Sequence, residues 1–513
     1  MNDFPAATDF AADTDTPARA DRASRPDTAA PDHGARNRRV IWLLLAASFV
    51  VILNETIMGV ALRELMLDLK IDARAAQWLT TAFMLTMAIV IPITGFLLQR
   101  FNTRPIFIAA MSLFSTGTLL AAISPGFEML LGARVIQASG TAVMLPLLMT
   151  TIMTLVPAAQ RGKTMGNVSI VISVAPAIGP TISGIILNTL TWRWMFWLVL
   201  PIALVMLLIG IRRVENVSEP ERVPLDVLSV ILSAFGFGGL IFGLSQIGAH
   251  GAANATAAEQ AAASMPMWIS LSVGFVALAL FVWRQLILQR RDRALLDLRT
   301  FRSKNFSISV GVMVVSMAAL FGTIILLPIY MQQVLQLEPL QTGLLLLPGG
   351  LLMGLLAPFV GRLYDRFGPT PLLVPGSVVV SAALWALTMV DESTSPLYLL
   401  GAHLVLSLGL ALLFTPLFTS ALGSVRPHLY SHASATVGTV QQVAGAAGTA
   451  LFVTIMAATS TTLAAGGASD VAAVAGGVHS AFLAGAVISL LAIVGSVFVR
   501  KPADLPEGAV VGH

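Results

Sequence analysis

The 513-residue chain has no cysteine, few charged residues and few histidines. Without cysteine it can form no disulfide framework, no thiol-based active site and no cysteine-ligated metal centre. Its seven histidines are scattered without the spacing of metal ligands, so no metal site is expected. No nucleotide-binding P-loop is visible, which excludes ATP as a direct energy source. Charged residues make up only 11% of the chain, whereas a typical soluble domain has about a quarter.

Hydrophobic residues, in contrast, make up 56% of the sequence. They cluster in runs of about 20 residues, the length that an α-helix needs to cross the hydrocarbon core of a bilayer. The sequence therefore predicts an all-α membrane protein with about fourteen spans. The predicted spans are residues 40–61, 78–98, 105–123, 129–156, 165–187, 194–211, 225–246, 267–288, 306–334, 342–359, 371–390, 397–422, 435–458 and 480–499.

The basic residues lie between these runs rather than in one patch, as expected of topology determinants and not of a nucleic-acid-binding surface. An even number of spans places both termini on the same side of the membrane. With both termini in the cytoplasm, only four of the 30 basic residues lie outside and one, Arg134, lies within a helix. This asymmetry predicts an N-in, C-in topology. The four outside residues are Arg63, Lys70, Arg74 and Arg193.

The two halves of the chain repeat one loop. Residues 95–101 at the end of the second predicted span have a counterpart 266 positions later, at residues 361–367. We therefore expect five segments: a disordered cytoplasmic tail (1–39), a six-helix bundle (40–211), two extra helices with a basic linker (212–305), a second six-helix bundle (306–499) and a short tail (500–513). Two facing bundles of this kind form transporters whose binding site lies between them.

The linker sequence 284–304 is strongly basic. It is predicted to form a helix on the cytoplasmic surface in contact with anionic lipid. A simple orientation signal would explain its composition equally well.

Several motifs resemble those of the fourteen-span drug:proton antiporters of the major facilitator superfamily. Loops 95–104 and 361–368 resemble its cytoplasmic signature, residues 134–137 its charged motif in span four, and residues 175–184 its antiporter motif in span five. Residues 192–196, 295–301 and 327–332 are similar to strings typical of the fourteen-span branch. Each string alone is weak, but their order and spacing extend the likeness from about residue 40 to residue 499.

The chain departs from the pattern of this superfamily at two places. In the first loop, Gln99 stands where the family has Asp and Asn102 where it has Gly, so a neutral hydrogen bond is expected to replace an ionic latch. In span one, Asn54 stands where the family has Asp, and the acidic residue lies one position later, at Glu55. Asn54 does not titrate, so a proton-carrying role implied by the resemblance cannot be assigned to it.

Three ionisable residues lie well inside predicted spans: Glu55, Arg134 and His403. A charged group in hydrocarbon costs about 2.5–3.5 kcal/mol or more, so each is a candidate functional residue for proton coupling. Each is six or seven positions from the external end of its predicted span, a depth of roughly 10 Å. The resemblance implies that their helices line a central cavity.

Glu55 is the candidate proton carrier. Burial would favour the protonated acid and a bound cation would favour the carboxylate, so competition between proton and cation would couple their movements. The alternative is a permanent structural ion pair with Arg134. Three roles are open for Arg134: it takes part in coupling, it anchors an anionic substrate, or it makes structural hydrogen bonds only. For His403 there are two interpretations: a neutral imidazole that hydrogen-bonds between helices, or a second proton site.

By resemblance, polar or adaptable side chains on cavity-facing spans are candidates for substrate binding. They are Asn54, Glu55, Met58, Gln137, Tyr330 and Gln332. The repeated loops and the span-five motif supply candidates for gating, because small residues and prolines allow close helix approach and bending. They are Gly95, Arg100, Arg104, Gly361, Asp365, Arg366, Gly179, Pro180 and Gly184.

The predicted function is export of lipophilic, cationic or neutral drugs in exchange for protons, by alternating access in a bacterial inner membrane. No enzymatic activity, cofactor or nucleic-acid partner is expected; the partners are small-molecule substrates, protons and membrane lipids, and the protein is expected to work as a monomer. An exporter of a dedicated metabolite, lipid or self-made antibiotic has the same fold and remains an alternative. A membrane enzyme or receptor is the third class, although no catalytic domain is visible.

Overall fold

The computed structural model describes residues 33–217, 220, 224–247 and 257–502. The predicted tail residues 1–32 and 503–513 lie outside the described residues. Fourteen helices in the described part of the chain are long and apolar enough to cross a membrane, which confirms the predicted number of spans. They are α1 (His33–Leu69), α2 (Ala73–Arg100), α3 (Thr103–Ala122), α4 (Phe127–Leu155), α5 (Arg161–Thr189), α6 (Arg193–Arg213), α7 (Val227–Ser245), α8 (Ala257–Leu288), α9 (Lys304–Gln333), α10 (Pro339–Phe367), α11 (Thr370–Leu387), α12 (Pro396–Gly423), α13 (Tyr430–Ala465) and α14 (Asp470–Phe498).

The helices form two bundles of six with a pair between them in the sequence. In the N-terminal bundle, α3 packs on α4 and α6, α1 on α5, and α2 on α4. In the C-terminal bundle, α11 packs on α12 and α14, α13 on α9 and α14, and α10 on α12. Helices α7 and α8 pack on each other as an antiparallel pair. The bundles meet along two seams, α5 against α10 and α2 against α13.

Apolar side chains cover the outside of the molecule as well as its core. On α8, the side chains of Trp268, Phe275 and Trp283 are more than 60% exposed. Such a surface is stable only against lipid, because soluble proteins rarely expose large contiguous apolar areas. Several helices, in contrast, begin at polar caps, as where Asp226 accepts a hydrogen bond from the backbone N–H of Ser229 at the start of α7.

Helix α1 is longer at both ends than the predicted span 40–61. It begins at His33 and continues to Leu69, through the acidic residues Glu64 and Asp68. The external extension stays helical outside the apolar stretch because its charged side chains are exposed to water and Asp68 is bonded to the start of α6. The predicted depth of Glu55 therefore refers to the apolar part of α1 and not to the helix end.

The prediction of a surface helix over residues 284–304 is wrong. Helix α8 ends at Leu288, and two short 3-10 turns follow at Gln289–Arg291 and Leu298–Arg302. Asp292 has a left-handed backbone (φ 51°), which stops the helix. The side chain of Gln285 then bonds the backbone N–H groups of Leu295 and Leu296, so the linker folds back onto the end of α8.

Candidate functional site

Glu55 lies on α1, in the N-terminal bundle, and is half-buried. Its neighbours on the helix differ from it: Asn54 is 2% exposed and Met58 1%. The Nδ2 atom of Asn54 has no hydrogen-bond partner in the described part of the chain. Glu55 and Thr56 are thus the half-buried polar residues of this stretch, whereas Asn54 beside them is turned into the packed interior.

Arg134 on α4 is fully buried and held by three helices. Its Nη1 donates a hydrogen bond of 2.6 Å to Oε1 of Gln137, whose Nε2 donates one of 2.8 Å to Thr118 on α3. The guanidinium carbon lies 4.0 Å from the ring centroid of Phe83 on α2, a cation–π contact. Only the Nε atom is left without a partner among the described residues.

Glu55 and Arg134 influence each other through their charges. Within the described residues, however, no salt bridge of 4.0 Å or less joins them. The direct partners of the guanidinium are instead Gln137 and Phe83. The positive charge is thus fixed in place, while among the described residues no cation lies within salt-bridge distance of the carboxyl.

The span-five motif lies against this part of α1. A Cβ atom added at Gly179 would come within 2.2 Å of Oγ1 of Thr56, the residue after Glu55. Only glycine allows α5 to approach α1 this closely. Pro176 and Pro180 lie inside the same helix, which remains continuous. At Gly184, in contrast, an added Cβ would meet no atom of the described residues within 4 Å. Gly179 therefore sets the spacing between α5 and the helix that presents Glu55.

His403 occupies in the C-terminal bundle the position that Arg134 occupies in the N-terminal bundle. Each is seven residues after the first residue of its helix, α12 and α4 respectively. The Nε2 of His403 lies 3.2 Å from the carbonyl oxygen of Leu346 on α10, and its Nδ1 has no partner among the described residues. His403 is thus bonded between helices and retains one free ring nitrogen.

The remaining candidates for substrate binding are dispersed. Gln137 is fully buried and used by Arg134. The hydroxyl of Tyr330 donates to the backbone oxygen of Asp391 between α11 and α12, and Gln332 is exposed near the end of α9. Arg134 and Gln137 are bonded to each other and the charge of Arg134 acts on Glu55, whereas Tyr330 and Gln332 lie near the end of α9 in the other bundle.

The second repeated loop lies at a junction of the bundles. The carboxylate of Asp365, near the end of α10, accepts hydrogen bonds of 2.8 Å from the backbone N–H groups of Gly162 and Lys163 in the first turn of α5. A carboxylate at a helix N-terminus satisfies free N–H groups and interacts favourably with the helix dipole. A Cβ at Gly361 would lie 2.1 Å from the carbonyl oxygen of Gly162, so the two backbones touch.

The first repeated loop makes the corresponding contact on the other seam with neutral groups. The Oε1 of Gln99 lies 3.1 Å from Nε2 of His432 on α13, so the predicted hydrogen bond at this position is present. Gly95 lies against the same histidine, since an added Cβ would be 3.2 Å from its Nδ1. Both seams are therefore closed on the predicted cytoplasmic side, one by a carboxylate and one by an amide.

Not all basic side chains of the two loops contact the opposite bundle. Arg104 donates to the backbone oxygen of Ile211, which ties the first loop to the end of α6 in the same bundle. The guanidinium carbons of Arg100 and Arg366 lie 5.9 Å and 5.0 Å from the rings of Phe101 and Phe367.

Sequence reasoning missed the partners of these residues. Phe83 contacts Arg134, Thr118 accepts a hydrogen bond from Gln137, His432 meets Gln99, and the backbone of Gly162 binds Asp365. A usable signal existed only for the α5–α10 seam, where glycines four residues apart mark close helix contact. These are Gly162 and Gly166 on α5, and Gly350 and Gly354 on α10.

The Major Facilitator Superfamily model matches residues 44–449 of the chain. The chain belongs to this superfamily. It is therefore a multi-pass membrane transporter of small molecules, and the resemblance seen in its motifs is confirmed.

Similar proteins carry names of drug resistance. The chain is 41% identical over 467 residues to the lincomycin resistance protein LmrB of Listeria monocytogenes serovar 1/2a, covering 90% of this chain and 96% of that protein. It is 38% identical to the LmrB of Bacillus subtilis, covering 89% and 95%. It is 28% identical to a multidrug resistance protein B homolog of Mycobacterium tuberculosis, covering 80% and 75%.

Solved structures share the fold at low sequence identity. The human organic anion transporter MFSD10 matches with a TM-score of 0.63 at 15% identity, covering 90% of this chain and 99% of that one. The proton:xylose symporter XylE matches with a TM-score of 0.60 at 13% identity, covering 92% and 98%. Both are superfamily members, which confirms the predicted fold.

Proposed function

We propose that this transporter is a proton antiporter that exports lipophilic cationic or neutral drugs, with Glu55 as its proton carrier. The observation that carries the proposal is the half-buried Glu55: no cation in the described part of the chain pairs with its carboxyl directly, while the buried charge of Arg134 acts on it. The names of the similar proteins support drugs, lincomycin among them, as the substrate class.

The chemistry of this pair makes exchange possible. Burial favours the protonated acid, whereas the positive charge of Arg134 favours the carboxylate. Because these two effects oppose each other, a third charge decides whether Glu55 is protonated. A bound lipophilic cation displaces the proton, and a returning proton displaces the cation. Arg134 cannot itself give up its charge under physiological conditions, so its role is to bias the equilibrium.

We propose that alternating access works by opening the closed cytoplasmic seams. Asp365 and Gln99 hold the bundles together on the predicted cytoplasmic side, and Ser169 on α5 bonds Thr415 on α12 at 2.7 Å. Release of these contacts would open the path from Glu55 to the cytoplasm. The protein is proposed to work as a monomer in a bacterial inner membrane, with each bundle moving against the other.

The test is transport in proteoliposomes with an imposed pH gradient. Lincomycin, a lipophilic monocation, a neutral dye and an anionic dye form the panel. Transport of lincomycin and of the cationic and neutral compounds should require the gradient, stop when a protonophore collapses it, and not respond to ATP. Protein-free liposomes with the same gradient control for passive partitioning. Undiminished transport after collapse of the gradient would overturn proton antiport, and exclusive transport of the anionic dye would overturn the substrate class.

A further inference from the structure

The extra helix pair lies across the seam between α2 and α13. Helix α7 packs on both, so it touches the N-terminal and the C-terminal bundle at once. Near the external end, the ring of Phe242 on α7 stacks on Trp78 of α2 with centroids 5.5 Å apart. Opening of this seam therefore requires α7 to leave at least one of its two partners.

A buried apolar cluster joins the same elements, and we name it the seam cluster. It contains residues from α2, α7, α8, the linker after α8 and α13. These are Ala88, Phe96, Phe237, Ile241, Phe281, Leu295, Leu296 and Ala435. Because the linker contributes two leucines that are 1% and 4% exposed, its backbone path decides whether the cluster can close.

Gln285 on α8 fixes that path. Its side chain is fully buried, its Nε2 donates a hydrogen bond of 2.7 Å to Oγ of Ser229 on α7, and its Oε1 accepts from the backbone N–H groups of Leu295 and Leu296 at 2.8 Å and 3.3 Å. Buried backbone donors are costly to leave without a partner. One amide therefore joins α7, α8 and the linker.

The linker also carries charges that act on the hydrogen bond across the seam. Arg299 donates to Asp297 from its backbone N–H at 2.9 Å and from its Nε to Oδ2 at 2.9 Å, and this makes a compact turn. The charges of both residues act on His432, the histidine of α13 whose Nε2 lies 3.1 Å from Gln99 of α2. The packing of the seam cluster and these charges thus link the extra helices to the cross-bundle bond.

We propose that α7, α8 and the linker 289–302 form a clamp that holds α2 against α13 on the cytoplasmic side, and that Gln285 is its positioning residue. The clamp depends on alternating access, which is part of the proposed function, and not on proton coupling or on the identity of the substrate. It gives the extra helix pair a mechanical role: the pair determines how readily the cytoplasmic side opens.

The test measures the distance across the seam without substrate. Since the chain has no cysteine, spin labels can be attached at two introduced cysteines, Phe101→Cys beside α2 and Arg426→Cys before α13, both exposed in the structure. Gln285→Met removes the acceptor at nearly constant length. It should raise the population of the longer distance at least about fivefold, as loss of buried hydrogen bonds implies.

Two further variants keep the clamp testable. Leu295→Ala truncates a seam-cluster side chain of the linker and changes no residue of a membrane helix. It should shift the distances in the same direction. Ser489→Ala is the matched control, because it breaks a buried 2.8 Å bond to Ser381 inside one bundle and should leave them unchanged. In transport, Gln285→Met should change the maximal rate while the half-saturating concentration stays within about twofold.

Wild-type distances in both Gln285→Met and Leu295→Ala would overturn the clamp, as would an equal shift in Ser489→Ala. Failure of proton coupling in wild-type protein would overturn the proposed function alone, because the distances are measured without drug and at constant pH.

Discussion

Replacement of Asp365 by asparagine tests the closure of the cytoplasmic side. The carboxylate accepts two 2.8 Å hydrogen bonds from the first turn of α5, so it acts as an N-terminal cap supplied by the other bundle. Loss of such a cap costs about 0.5–2 kcal/mol, and loss of the favourable dipole interaction about 0.3–1 kcal/mol. Asn keeps one acceptor oxygen, so we expect about 1–2 kcal/mol, a factor of roughly 5–30 in the equilibrium between closed and open states.

The assay is a distance measurement with spin labels at Ala159→Cys and Phe367→Cys, which lie on opposite sides of the α5–α10 seam and are exposed. Asp365→Asn should populate a longer distance and slow turnover, while substrate affinity stays within a few-fold. Asp72→Asn is the matched control: Asp72 caps α2 through the backbone N–H of Ala75 at 2.7 Å, within one bundle. Unchanged distances in Asp365→Asn, or a large loss of substrate binding, would refute the gating role.

Two further perturbations have defined outcomes. Gly361→Ala places a methyl group 2.1 Å from a backbone oxygen of α5 and should destabilise the protein by about 1–3 kcal/mol in thermal unfolding and slow export, whereas Gly401→Ala meets no atom within 4 Å and should be neutral. Hydrogen bonds from Arg284 lower the pKa of Asp226 from 3.8 to about 2. A lowered pKa means stabilisation, about 2 kcal/mol here, that is present above pH 4 and lost as the pH falls towards 2. The difference in melting temperature between wild type and Asp226→Asn should therefore shrink over that range; a constant difference would contradict the ion pair.

The sequence predicted the helices well because each span needs only a local property, a run of about 20 apolar residues. It identified Glu55, Arg134 and His403 as candidate residues for a similar reason, since each is an ionisable residue inside such a run. The repeated loops of the two halves could be identified in the same way, from the spacing of their glycine, acidic and basic residues.

Contacts between distant parts of the chain could not be read locally. Gln99 meets His432, 333 positions away, and Asp365 meets the backbone of Gly162, which leaves no trace in side-chain composition. The linker after α8 was misjudged because its basic composition favours a surface helix. Its actual path depends on the buried acceptor of Gln285, a residue that carries no signal in an apolar run.

Proton release on drug binding tests the central claim most directly. Purified wild type, Glu55→Gln and the control Glu64→Gln, which removes an exposed carboxyl from the same helix, are mixed with a lipophilic monocation in weakly buffered detergent solution. Wild type and Glu64→Gln should release protons into the solution. Glu55→Gln should release none, although it is inserted correctly and still binds a neutral substrate. Proton release from Glu55→Gln at the wild-type level would show that Glu55 does not couple drug to proton.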